Sequence, residues 1–315
     1  MTAKSWMSLV TRANGQSDEM LLSAAKADYN VVLNDIFVHD KFIDQKVIVP
    51  NRFVTGREFL KNSELHLENW EVVKDRYEVV QNIEILKRAK NLVNRNQDST
   101  VLFGCGVLDE GRKFFCVINT GSLQVHVGSD DDDIIDSYVI IMTSHDASLP
   151  ICYYCFDTRR STNAVYRIDS PRNKFIIRKR HTPAQSNYDI EVADALMMRR
   201  VWTEELQRSI SKLYSPISMA TANAVILDIL SCDDDLTDKK KDNVQMAKSE
   251  IVKLYTADHN AGFFGQTKWA LFNAFVEYVD FGRNINSLDA AQHSLEIDNF
   301  SHRLKISAYK KISTI

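Results

Sequence analysis

The sequence predicts an α+β fold, a central antiparallel meander of about six strands followed by a helical C-terminal half. Three observations predict it. Between residues 101 and 178 the chain is a succession of β-branched and aromatic runs of strand length, the composition that suits a pleated, half-buried surface. The connections between those runs are too short to hold crossover helices, so neighbouring strands run antiparallel. Beyond Pro183 the apolar period becomes that of a helix.

The elements follow in order. Residues 1–65 are weakly patterned; Val31-Val32-Leu33 and Lys46-Val47-Ile48-Val49 read as short strands, the second broken by Pro50-Asn51. Trp70 and Val72 alternate with polar neighbours, Lys74-Asp75 suits a turn, and Tyr77 and Val79 alternate again, a pattern of paired strands. Asn82 is placed to cap a helix whose apolar face is Leu86, Ala89 and Val93. The predicted meander is Val101–Val107, Lys113–Asn119, Ser122–Val127, Ser137–Thr143, Ile151–Phe156 and Lys174–Arg178, punctuated by Gly111, Gly121, Gly128-Ser129 and a solvated turn at Asp130–Asp133.

Helical spacing then sets in with Ile190, Ala193, Met197 and Val201, and with Leu206, Ile210 and Leu213. Val244, Ala247, Ile251 and Leu254 mark another helix, entered through the polar run Asp233–Asp242. Trp269, Phe272, Val276 and Val279 mark a third, with Thr267 as its N-cap, and Leu288–Ile315 reads as one more. No repeat or low-complexity linker interrupts the chain. Its parts are a segment over 1–65, a strand-rich core over 66–185 and a helical part over 186–315 packed on the same core.

Composition narrows the class. The 315 residues are 44% hydrophobic and 26% charged, enough apolar material for a sizeable core. A net charge of -3 leaves no global basic signature, so any nucleic-acid surface has to be local. No stretch approaches the roughly 18 uncharged apolar residues of a membrane span, and the first ten residues lack a signal-peptide core. Five sparse cysteines read as reduced thiols, placing the protein in the cytoplasm with no membrane partner and no cofactor.

Four segments carry a resemblance. They are Asp75-Arg76-Tyr77-Glu78-Val79-Val80-Gln81-Asn82, the strand from Tyr138 into Ser144-His145-Asp146-Ala147-Ser148, Arg178-Lys179-Arg180-His181-Thr182, and Thr267-Lys268-Trp269 through Asn273-Ala274, Glu277-Tyr278 and Asp280. In this order they resemble the phage- and plasmid-like family known as domain of unknown function 932, over about Trp70 to Arg283. Two positions depart from that pattern: Ala147 stands where the family's turn has Gly, and Phe281 where it has His. The resemblance implies a mobile genetic element, hence a host-cell cytoplasm, and supplies no catalytic residues.

Among the candidate sites the cationic one leads. From Phe156 to His181, eight Lys and Arg stand against Asp157 and Asp169, a net +6 in a chain of net charge -3. Arg159, Arg160, Arg172, Lys174, Arg178, Lys179 and Arg180, with Tyr154, Tyr166 and Phe175 interleaved, suit single-stranded DNA, whose phosphates follow cations and whose bases stack on rings. The bland alternative is that these arginines pair with the protein's own acids. His145, Asp146 and His181, joined by Glu277, could ligate a metal, although Ser144-His145-Asp146 reads more simply as a hydrogen-bonded turn. Cys152 and Cys155 lie three apart on one strand and therefore face opposite ways. Asn273, Glu277 and Asp280 read as the wet or partner-facing side of the late helix.

No phosphate-binding loop, nucleophile elbow or dinucleotide motif is present. The leading expectation is a non-enzymatic single-stranded-DNA-binding protein acting in recombination or replication, as a monomer or a homo-oligomer. The alternative is a protein-interaction factor, such as an inhibitor of a host antiphage defence protein. The third is a metal-dependent enzyme.

Overall fold

The computed structural model describes residues 5–41, 44–61, 63–95, 100–126, 132–166, 176–182, 188–230, 238–283, 287–297 and 299–315. Its ten strands are β1 (Thr11–Arg12), β2 (Asn30–Asp40), β3 (Gln45–Lys61), β4 (Glu64–Lys74), β5 (Val101–Leu108), β6 (Lys113–His126), β7 (Asp132–Ser144), β8 (Ile151–Arg159), β9 (Val165–Tyr166) and β10 (Ile176–Lys179). Its α-helices are α1 (Asp18–Ala24), α2 (Asn82–Arg95), α3 (Tyr188–Leu213), α4 (Met219–Leu230), α5 (Asp238–Tyr255), α6 (Lys268–Glu277), α7 (Ser287–Leu295) and α8 (Phe300–Thr314). Strands dominate the first half and helices the second, so the α+β expectation holds. Among the described residues no helix is long and apolar enough to cross a membrane.

A seven-stranded sheet runs in the order β1-β5-β6-β7-β8-β10, with β9 also on β8, and every pairing is antiparallel. The meander is therefore present, with two predicted strands, Lys113–Asn119 and Ser122–Val127, fused into β6. Gly121, at φ 109, sits in the register shift that bends β6 without ending it. Both sheet faces are covered. Phe114, Cys116, Ile118 and Cys155 face a core shared with α2, α3 and α6, whereas Phe115, Val117 and Cys152 face a second cluster closed by Trp6 and Leu295. Burial on two sides explains why β8 is buried at all nine positions instead of alternating. It also puts Cys152 and Cys155 on opposite faces, as their spacing requires.

The N-terminal segment is more ordered than its pattern suggests. β2, β3 and β4 form a separate three-stranded antiparallel sheet. Pro50-Asn51 does not break the strand: Asp35 pairs with Phe53 but Phe37 with Ile48, so residues 49–52 form a bulge, with Asn51 at φ 56. Proline's missing N–H falls where the ladder needs none. Nor do Tyr77 and Val79 pair with the Trp70 strand; β4 pairs with β3, and the segment before α2 is irregular.

In the helical half, α6 opens at Thr267, whose hydroxyl accepts from the Ala270 N–H. On α3 the buried stripe is Met198, Trp202, Leu206 and Ile210, while Met197 and Val201 point outward, one position off the predicted face. α4 carries no expectation above, and the predicted tail helix is two, α7 and α8, the second capped by Asn299.

Candidate functional site: a buried polar network and an outward apolar sheet

Among its described residues the cationic tract is divided between core and surface. Arg159, at the end of β8, is 3% exposed, its Nε 3.0 Å from Asp133 Oδ2. Its two Nη groups donate to Asn260 Oδ1 and to the carbonyl of His259. Arg160 is held by Asp136 and Ser122. Burial pushes the Asp136 carboxyl up, but these hydrogen bonds outweigh it, and the group lies below the ordinary carboxylate value. Tyr154 and Tyr166 are buried and donate to Leu295 O and to Asn273. Neither ring has a face open for a base, so Arg159, Tyr154 and Tyr166 are corrected from contact residues to core. Arg172, Lys174 and Phe175 lie outside the described residues. Arg178 and Arg180 are exposed and Lys179 is half-buried, on or just after the edge strand β10.

His145 and His181 do come near each other, as a hydrogen-bonded turn rather than a ligand set. His145 is fully buried, stacked on Trp70 with centroids 5.9 Å apart and edge-on to Tyr29. Asn82 fixes its tautomer. The Asn82 amide donates to the Ala27 carbonyl, so its oxygen accepts from His145 Nε2 at 2.8 Å, and Nδ1 carries no proton. Asn82 thus opens α2 with its side chain spent on this relay. Burial drives the His145 pKa down to about 3, helped by nearby His181, and burial also lowers His181. His181 bonds Thr143 and stacks on Tyr77. Asp146 accepts from the Ser148 N–H, and the Ser144 hydroxyl bonds both backbone groups of Leu149. Ala147 adopts φ 59, the left-handed region that explains a glycine in the family pattern. Glu277 belongs to a different place. Among the described residues no three His, Cys, Asp or Glu side chains are grouped to hold a metal.

That different place is the polar side of α6, which is not wet. Asn273, Glu277 and Asp280 are all buried. Glu277 accepts from His259 Nε2 at 2.7 Å and from the Asn260 amide, and lies 3.6 Å from Arg159 Nη1. Asp280 binds Lys305 Nζ at 2.6 Å and the Val165 N–H at 2.8 Å, while Lys305, 1% exposed, also reaches the Val165 carbonyl. His259 and Asn260 lie on one π-helical turn, Asp258–Gly262, and Asp280 on another, Tyr278–Gly282. Such turns re-aim side chains that a regular helix would direct elsewhere. Burial raises the Asp133 carboxyl above its ordinary value despite the guanidinium beside it. This network stitches the sheet to the helices, and among its described residues His259, 43% exposed at its side chain, opens it to solvent.

The second candidate is the β2-β3-β4 sheet. Partners in an antiparallel ladder share a face. Val31, Thr55, Arg57, Trp70 and Val73 therefore form the inner face, anchored by Trp70 on His145 and by Arg57 on Glu68 at 2.7 Å. The outer face carries exposed apolar side chains among polar and charged ones: Leu60 is 75% exposed, Leu65 69%, Leu67 52% and Val72 50%. Beyond the bulge, Phe37, Val38, Val47 and Ile48 are exposed on both sides of the hairpin. Nothing above singled out this surface.

A family model described as Domain of unknown function (DUF932) matches residues 69–303. The chain belongs to the DUF932 family. The matched range takes in the seven-stranded sheet except β1, and the whole buried network from Asp133 to Asp280; Lys305 falls just beyond it. It leaves out β2, β3 and the first half of β4, so the outward apolar sheet is almost entirely outside the DUF932 match. No curated protein and no solved structure matches the chain.

The network generates two predictions. Asp133→Ala leaves the Arg159 charge buried without its carboxylate, and the fold should lose about 3–5 kcal/mol, read as a shift in the urea midpoint; a loss under 1 kcal/mol refutes the assignment. The His145 imidazole takes a proton in the unfolded chain below about pH 6.5 but in the folded chain only near pH 3. Stability should therefore fall as pH falls through that window, by up to about 1.4 kcal/mol per pH unit. Unfolding curves from pH 8 to 4.5 should be flatter for His145→Gln; equal slopes exclude this origin.

Proposed function

We propose that this protein acts by associating with another protein through the outward face of the β2-β3-β4 sheet, as an interaction factor rather than an enzyme. One observation carries the reading. An antiparallel sheet with one side on a core places polar residues on the other, yet here Leu60, Leu65, Leu67 and Val72 line the solvent side. Large apolar side chains grouped on the solvent side of a sheet suit a binding surface. The polar residues of the family-like motifs favour the same reading, because Asn273, Glu277 and Asp280 are spent on internal hydrogen bonds.

A photo-crosslinking amino acid at position 65 or 67 in expressing cells should give discrete protein adducts, while the same group in place of Met197, which is equally exposed but lies on α3, should not. Absence of adducts at both sheet positions overturns the reading.

A second reading, single-stranded DNA binding, is supported by Arg178, Lys179 and Arg180, consecutive cations at the open edge of the larger sheet. Lysine and arginine on an edge strand also serve simply to block edge-to-edge pairing, so the cations alone do not carry it first. Fluorescence anisotropy with a labelled single-stranded oligonucleotide should show binding that weakens steeply with salt and disappears when all three are reversed to Glu. Unchanged affinity in that variant removes this reading.

A further inference from the structure

The outer face of the small sheet has an arrangement that names its occupant. Along the sheet the outward residues fall in rows fixed by the ladder. Leu60 pairs with Leu65, then Glu58 with Leu67, Gly56 with Asn69, Val54 with Val72, and Arg52 with Lys74. An acid thus stands on one side of the Gly56–Asn69 row and two cations on the other, with apolar residues on both. We infer that the occupant is a second copy of this chain, stacked face to face about a two-fold axis through the Gly56–Asn69 row; the inference rests on the association reading above.

The pattern is self-complementary, as a two-fold interface requires. An axis lying across the strands reverses their direction in the partner. Leu67 then meets the partner's Val72, and Glu58 comes within one row of the partner's Arg52 and Lys74, a step of roughly 7 Å that these long side chains span. Leu60 and Leu65 lie against the methylene stems of the same cations, which cover apolar surface while their heads stay wet. The short, exposed Asn69 at the axis lets the two sheets approach to the usual separation of about 10 Å, while Gly56 is buried there, where a Cβ would strike the Glu68 carbonyl of the adjacent strand.

Eleven residues of β4 by three strands measure roughly 36 by 14 Å, about 500 Å² before side-chain relief, so a dimer through this face sits at the small end of stable interfaces, which bury about 600–1,000 Å² per partner.

The test uses the full chain and light scattering with sedimentation over about 1 to 100 µM, a range that brackets a modest interface. Wild type should form a species of twice the monomer mass. Glu58→Arg, and separately Arg52→Glu with Lys74→Glu, should each weaken dimerisation at least tenfold. Mixing these two variants should restore the dimeric mass, since one presents only cations and the other only acids. A wild type monomeric throughout overturns the inference, as does a dimer indifferent to both variants. If the chain is monomeric while position 65 crosslinks to a different protein, pairing of copies fails and the association reading stands.

Discussion

Arg159 is the constraint on which the rest of the architecture turns. A guanidinium in a protein interior is tolerable only if its charge and its donors are met. Here they are met from three directions: Asp133 opens the neighbouring strand, His259 and Asn260 come from a π-helical turn after α5, and Glu277 ends α6. Phe264 packs against the cation's face at 4.7 Å. The strand-rich and helical halves consequently share one core. That Asp133 remains harder to ionise than an exposed carboxyl shows that desolvation outweighs the pairing at this site. Such a pair contributes little net stability yet is costly to break, which suits a device that fixes how two halves dock.

The same logic accounts for the second buried charge. Lys305 on α8 takes Asp280 and the Val165 carbonyl, and Asp280 takes the Val165 N–H. The two-residue strand β9 is thereby held by a side-chain clamp as well as by its short pairing with β8. Together the two networks consume the motif residues of the late helix. Among the described residues of these networks, His259 is the one whose side chain reaches solvent. The small sheet, by contrast, touches the body through Trp70, Tyr29 and Arg57 near His145 and through the Val31–Gln81 hydrogen bonds, and presents apolar side chains to solvent. Its inner face packs against the body and its outer face meets solvent.

Strand and helix identity were legible because they depend on local composition and period. The central meander, the helix opening at Thr267 and the opposed faces of Cys152 and Cys155 all follow from residues near one another in the chain. The cationic tract shows the limit of that legibility. Eight basic residues in one stretch look like a surface, but charge counts do not distinguish Arg159, whose partners are 26 and 101 residues away, from Arg180, which is exposed. Asp133 looked like one of four solvated acids, and it is the buried partner.

The small sheet makes the division clearest. In Glu64-Leu65-His66-Leu67-Glu68 the period-two alternation is plain, and alternation alone would bury the leucines. The structure turns the strand the other way, because Glu68 is needed by Arg57 and Trp70 by His145 on the inner face. Local alternation alone establishes that a strand with two unlike faces exists there. Which face meets the core is a one-residue choice of register, decided by partners that only the tertiary structure brings together.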